Sequence, residues 1–176
     1  TVGNTISDVI KDNIKLIKKN DILKSFGLDK KKYFLITLHR PETVDDPKKF
    51  HKLIIDFEKI GKKFNTKFLF PVHPRTKKII NKLNIKKLNF KPLEFLDFLT
   101  TMKNSKIIFT DSGGIQEESS LLGVPCITIR TTTERQLSII NKTNILTGYD
   151  YNKILKAVIY FNKSSIKPST VFGDGN

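Results

Sequence analysis

Phe109-Thr110-Asp111-Ser112-Gly113-Gly114-Ile115-Gln116-Glu117-Glu118 joins an apolar run to a helical pattern, and its reading decides the fold. Ile107-Ile108-Phe109 has the composition of a buried strand end. Thr110, Asp111 and Ser112 each carry a short side-chain oxygen able to cap a helix. Gly113-Gly114 follows, and Ile115 to Leu122 continues with helical spacing. A strand feeding through Ser-Gly-Gly into a helix gathers unpaired backbone N–H groups and the positive end of a helix dipole at one spot. Glycines without a Cβ let a ligand come up against that backbone. The combination suits a phosphate, and Glu118, one turn in, is placed to accept two hydroxyls of a ribose. A plain strand-to-helix turn is the other reading of the same residues.

On either side the same alternation repeats. Towards the N-terminus, Tyr33 to Leu38 is a continuous apolar run, as in a strand buried on both faces, and Lys67 to Phe70 is a second. Leu88-Asn89-Phe90 is a short third. The pattern predicts helices on Ile6–Ile17, capped by Asn4 or Thr5, and on Ile22–Phe26. Another starts at Pro47 with the core stripe Phe50, Leu53, Ile54, Phe57 and Ile60; two more are centred on Ile79–Leu83 and Leu93–Met102. Towards the C-terminus lie a strand at Cys126–Ile129, a polar loop at Arg130–Arg135, a strand at Asn144–Leu146 and a helix at Tyr151–Tyr160, then an irregular tail from Asn162. Five or six strand–helix alternations predict an α/β fold, a Rossmann-like parallel sheet with helices on both faces, over 1–176 as one domain.

Composition bounds the function. The 176 residues are 38% hydrophobic, enough for a core, and no apolar run approaches the ~20 residues of a membrane span. With no signal peptide at Thr1-Val2-Gly3-Asn4 and a single cysteine, Cys126, inside an apolar run, a cytoplasmic protein with a buried structural thiol is expected. The formal charge of +15 comes from 28 lysines and four arginines, the lysines scattered in pairs over every helix and turn. Dispersed lysine makes a solvated surface rather than a nucleic-acid face, so neither nucleic acid nor membrane is expected as a partner.

The rare residues are more informative. In a chain that defaults to lysine, an arginine answers a need for a planar fork that grips phosphate or carboxylate. His39 and Arg40 follow the first strand, His73 and Arg75 the second, Ser112-Gly113-Gly114 the fourth, and Arg130 and Arg135 the fifth. Ligands of parallel sheets bind at the carboxyl ends of the strands. An anionic, phosphate-bearing ligand across that edge is the expectation. Alternatives stay open residue by residue: His39 as a strand-end cap, Arg40 paired with Glu42 or Asp45, Arg130 anchored to Glu134, Phe98 as core, and one of Glu117 and Glu118 as a surface acid. His51 points off its helix's apolar stripe and is read as a surface histidine.

These segments together resemble the C-terminal half of the UDP-N-acetylglucosamine 2-epimerases. The likeness lies in Gly3-Asn4-Thr5, Leu38-His39-Arg40-Pro41-Glu42, Pro71-Val72-His73-Pro74-Arg75, Pro92-Leu93-Glu94-Phe95-Leu96, Thr110 to Glu118, Thr132-Thr133-Glu134-Arg135 and Phe172-Gly173-Asp174-Gly175. The resemblance implies one half of a glycosyltransferase-B-like two-domain architecture. By likeness, Ser112, Gly113 and Gly114 hold the diphosphate with Arg135, His39 and Arg40 nearby, Glu118 takes the ribose, Phe98 flanks the uracil, and His73 lines the cleft. His39 would be the catalytic residue of this half. The implied partner is UDP-N-acetylglucosamine, the implied reaction its interconversion with UDP-N-acetylmannosamine by anti elimination and re-addition of UDP, with no metal or redox cofactor. An N-terminal half would supply the bases, so the chain alone is expected to be inactive and the full enzyme a homodimer of cell-surface polysaccharide biosynthesis. Gln136 stands where many relatives have proline. A hydrolysing 2-epimerase, a transferase half or a non-catalytic nucleotide-sugar module share the same motifs.

Overall fold

The structure, a computed structural model, describes residues 6–72, 74–83, 85, 89–90, 92–169 and 172, with the backbone alone for Lys18, Pro74, Arg75, Asn89 and Phe90. Six parallel strands form one sheet: β1 (Tyr33–Thr37), β2 (Lys67–Phe70), β3 (Asn89–Phe90), β4 (Ile107–Thr110), β5 (Cys126–Thr128) and β6 (Asn144–Leu146). Their order is β3-β2-β1-β4-β5-β6, that of doubly wound nucleotide-binding sheets. Between β1 and β4 the direction of winding reverses, which leaves a crevice at their carboxyl ends.

Strict alternation along β1 feeds two cores. Phe34 and Ile36 face α4 (Pro47–Phe64) and α9 (Tyr151–Lys163), while Tyr33 and Leu35 face α1 (Ile6–Lys19), α2 (Ile22–Ser25), α6 (Phe95–Asn104) and α7 (Gly113–Leu122). Helices therefore cover both faces, as expected. The first core is aromatic at its centre: Phe109 packs on Phe34, Phe57 and Phe68 with ring centroids 5.6, 5.2 and 5.6 Å away. The stripe predicted from Phe50 to Ile60 is buried throughout. Asp46 caps α4 by accepting from Lys48 N and Lys49 N at 3.0 and 3.1 Å, with Pro47 in the first turn.

Five helices differ from expectation. The loop after β1 contains a one-turn helix, α3 (Pro41–Val44), started by the fixed φ of Pro41. α7 begins at Gly113, so the glycines are its first turn and not a loop before it. α6 runs two residues later than the apolar pattern, and α5 spans Pro74–Lys82. A short α8 (Gln136–Ile140) follows Arg135, too brief to show periodicity. Cys126 is wholly buried, and burial pushes its thiol up to about 12. The expected caps Asn4 and Thr5, and Gly173-Asp174-Gly175, lie outside the described residues. No helix among the described residues is long and apolar enough to cross a membrane.

Beyond α9 the chain returns to α7. Ser169 N–H donates to the Ser120 carbonyl at 3.0 Å, and Pro168 lies over Gly123, the left-handed C-cap of α7. A Cβ on Gly123 would stand 2.7 Å from Pro168 Cδ. Phe109→Ala tests the aromatic core: it should lower stability by about 3–5 kcal/mol, seen as an earlier urea midpoint at unchanged slope.

Candidate functional site

Three threonines stand side by side where the central strands end: Thr37 is in register with Thr110, and Thr110 with Thr128. Thr37 Oγ1 donates to Thr110 Oγ1 at 2.7 Å, and Thr110 Oγ1 in turn accepts Ser112 N–H at 3.0 Å. These bonds fix the turn out of β4. Asp111, fully buried, does not cap α7. Its carboxylate reaches across the crevice and accepts the backbone N–H groups of His39 (3.1 Å) and Arg40 (3.0 Å). Oδ1 also lies 3.3 Å from His39 Nδ1. The exits of β1 and β4 are thus tied together by one buried acid.

That leaves the mouth of α7 open. Ser112 makes no side-chain cap, and the N–H groups of Gly113, Gly114 and Ile115 meet no acceptor among the described residues. Apart from its chain neighbours and its own helix backbone, a Cβ on Gly113 would come no nearer than 3.7 Å to another atom, and one on Gly114 no nearer than 3.8 Å. Neither residue has positive φ. The chain's own packing therefore does not require glycine at either place. Two glycines inside a helix cost about 0.5–1 kcal/mol each relative to alanine. What they leave is bare backbone at the positive end of a helix.

The Arg135 guanidinium lies beside Gly113, where an added Cβ would find its Cζ and Nη2 at 3.7 Å. Its Nε is held by the Glu117 carboxylate in an ion pair. Glu117 is buried, and Glu118 is half-buried beside Gly114. Burial, then the charge of Glu117, pushes the Glu118 carboxyl up to about 7. Neither glutamate is an ordinary surface acid, contrary to one of the alternatives left open. Arg130, by contrast, forks onto Glu134 with bonds of 3.0 and 3.1 Å, and this holds the Glu134 carboxyl down at about 2. It anchors its own loop.

His39, Phe98 and Ser112 meet in a cleft of about 440 Å³ on this edge, floored by Val72, Leu93 and Ile115. His39 is half-exposed there, and Phe98 is half-buried, part of the core's rim and open to the cleft. Arg40 makes no ion pair with Glu42 among the described residues. His51 is exposed, as expected. His73 and the Arg75 side chain lie outside the described residues. A larger hollow of about 630 Å³ opens at the opposite end of the sheet between Leu28, Lys62 and Lys67. It lies at the strands' amino ends and holds none of the rare residues, so the smaller cleft is the candidate site. Sequence reasoning missed two residues here, Asp111 and Gln116, both fully buried.

The match to known proteins covers the whole chain. A family model described as UDP-N-acetylglucosamine 2-epimerase matches residues 1–176. A UDP-N-acetylglucosamine 2-epimerase of Methanococcus maripaludis is 41% identical over 99% of this chain and 51% of its own length. Among solved structures, the Methanocaldococcus jannaschii UDP-GlcNAc 2-epimerase in complex with UDP-GlcNAc and UDP is similar at TM-score 0.89 and 37% identity, over 99% of this chain and 51% of that one. The Neisseria meningitidis enzyme bound to UDP-GlcNAc is similar at TM-score 0.84 and 30% identity, over 99% and 51%. The chain spans about half the length of these relatives.

Substitutions at two positions test the geometry. Asp111→Ala should cost about 1–3 kcal/mol for each backbone N–H left without an acceptor, whereas Asp111→Asn, which keeps one oxygen, should recover most of the loss in chemical denaturation. Glu118 has a folded value near 7, above its ordinary 4.5, so its contribution to stability is complete below about pH 4.5 and is lost as pH rises through 7. Glu118→Gln should therefore raise the melting temperature at pH 8 and leave it unchanged at pH 4.

Proposed function

Because this chain belongs to the UDP-N-acetylglucosamine 2-epimerase family, we propose that it is the domain that seats the UDP moiety of UDP-N-acetylglucosamine. The complete enzyme then interconverts that sugar nucleotide with UDP-N-acetylmannosamine. The observation that carries this reading is the uncapped mouth of α7, with bare backbone at Gly113-Gly114 and the Arg135 guanidinium beside it.

In this proposal the N–H groups of Gly113, Gly114 and Ile115 and the hydroxyl of Ser112 bind the diphosphate, since Ser112 N–H is already engaged by Thr110. Arg135 adds a planar donor to the same oxygens. Glu118, four residues beyond Gly114 and beside it, accepts the ribose hydroxyls. Phe98 flanks the uracil in the adjoining cleft, and Arg40 and His73 keep the substrate-binding roles that the family likeness gives them.

The reaction begins with loss of the proton at C2 to a base and cleavage of the C1–O bond. The electrons pass to the departing UDP, and a glycal remains. Negative charge grows on the diphosphate as it leaves. The helix mouth, Arg135 and His39 are the groups that would meet it. Asp111 Oδ1 faces His39 Nδ1 at 3.3 Å, and the His39 side chain lines the cleft. UDP then returns to C1 as C2 is reprotonated from the other face. The bases at C2 are assigned to a further domain that faces this one, as in a glycosyltransferase-B-like pair, with the whole working in the cytoplasm on precursors of cell-surface polysaccharide.

Titration with UDP should shift the amide signals of Ser112, Gly113 and Gly114 in NMR spectra. Arg135→Ala should weaken that binding by about tenfold or more, the worth of a hydrogen bond to a charged group. A chain whose Gly-Gly signals ignore UDP would refute the proposal.

A further inference from the structure

Gln116 is completely buried in α7, and both ends of its amide are occupied. Oε1 accepts from Thr133 Oγ1 at 2.7 Å and from Asn144 Nδ2 at 3.0 Å. Nε2 donates to the Ser112 carbonyl at 3.2 Å, at the mouth of the helix. Thr133 Oγ1, its proton given to Gln116, accepts the backbone N–H of Arg135 at 3.1 Å. An unbroken path of hydrogen bonds therefore joins the Ser112 carbonyl, the amide, the Thr133 hydroxyl and the backbone of Arg135.

We infer that Gln116 is a positioning residue that sets Arg135 against the mouth of α7. The division of labour is between neighbours on one helix. Glu117 holds the side chain of Arg135 through Nε, and Gln116 holds its backbone through Thr133. An amide is required because the position asks for an acceptor and a donor on one planar group, without charge. A carboxylate would lose the bond to Ser112 and place a buried negative charge at the site. A second branch, from Gln116 through Asn144 to Ser138 Oγ at 3.2 Å and to Thr128, ties the same amide to β5 and α8. The loop that carries Arg135 is thereby registered on the sheet and not only on itself.

That the positioning serves a nucleotide rests on the UDP reading above; the positioning itself does not. Two measurements on the 176-residue chain separate them. Without ligand, the Arg135 Nε–Hε signal, buried against Glu117, reports how firmly the loop is held. Gln116→Met and Thr133→Val should each speed its exchange with water by about fivefold or more, and Thr133→Ser, which keeps the hydroxyl, should restore it. With UDP as the probe, Gln116→Met and Thr133→Val should weaken binding about five- to tenfold when Arg135 is present, and less than about twofold in an Arg135→Ala background. Unchanged Hε exchange, or equal weakening in both backgrounds, would overturn the inference. If Gln116→Met does not fold, the Thr133 pair decides. If the unsubstituted chain binds no UDP, the nucleotide reading falls and the exchange measurement still decides the positioning.

Discussion

The strand order turns back on itself between β1 and β4, and a parallel sheet must leave a gap there. Asp111 spans it. Its carboxylate, without solvent access, gathers two backbone N–H groups from the far strand's exit and faces the His39 ring. A buried carboxylate is costly unless it is met by donors, and here the donors are the loop that must be held. Asp111 is engaged in that link, and Ser112 at the N-cap of α7 makes no side-chain cap, so the helix mouth stays open.

Around that point the polar groups are shared economically. The threonines at the ends of β1, β4 and β5 satisfy one another, the turn into α7 and Asn144. Gln116, Thr133 and Asn144 carry the same order across to the loop of Arg135. Such a network fixes distances only if every member is satisfied. The aromatic cluster behind it, centred on Phe109, supplies the rigid wall from which β4 delivers Asp111.

Much of this was legible in the sequence. Tyr33 to Leu38 and Lys67 to Phe70 announced buried strands, and the stripe from Phe50 to Ile60 announced the helix between them. The scarcity of arginine pointed to the ligand edge, and Arg135 stands at the helix mouth. Arg130 shares that edge but is turned onto Glu134, a distinction that spacing alone could not make. Asp111 and Gln116 were not legible as determinants. Asp111 reads as one of three candidate caps of α7, and its partners are 71 and 72 residues away. Gln116 acts through Thr133, 17 residues on. α3 and α8 were missed because one turn shows no period.

The pairing of Arg135 with Glu117 changes what kind of attraction the site exerts. Arg135 is paired with Glu117, and Glu118 lies beside Gly114, so acids and a base share the helix mouth within a chain of formal charge +15. On the proposed reading, an anion would be met there by oriented dipoles and one aimed fork, not by a broad positive field. Ionic strength screens fields over about 8–10 Å but hardly touches contacts made at bonding distance. A pocket of that kind would discriminate by shape and direction, at salt concentrations where a merely basic surface loses its grip.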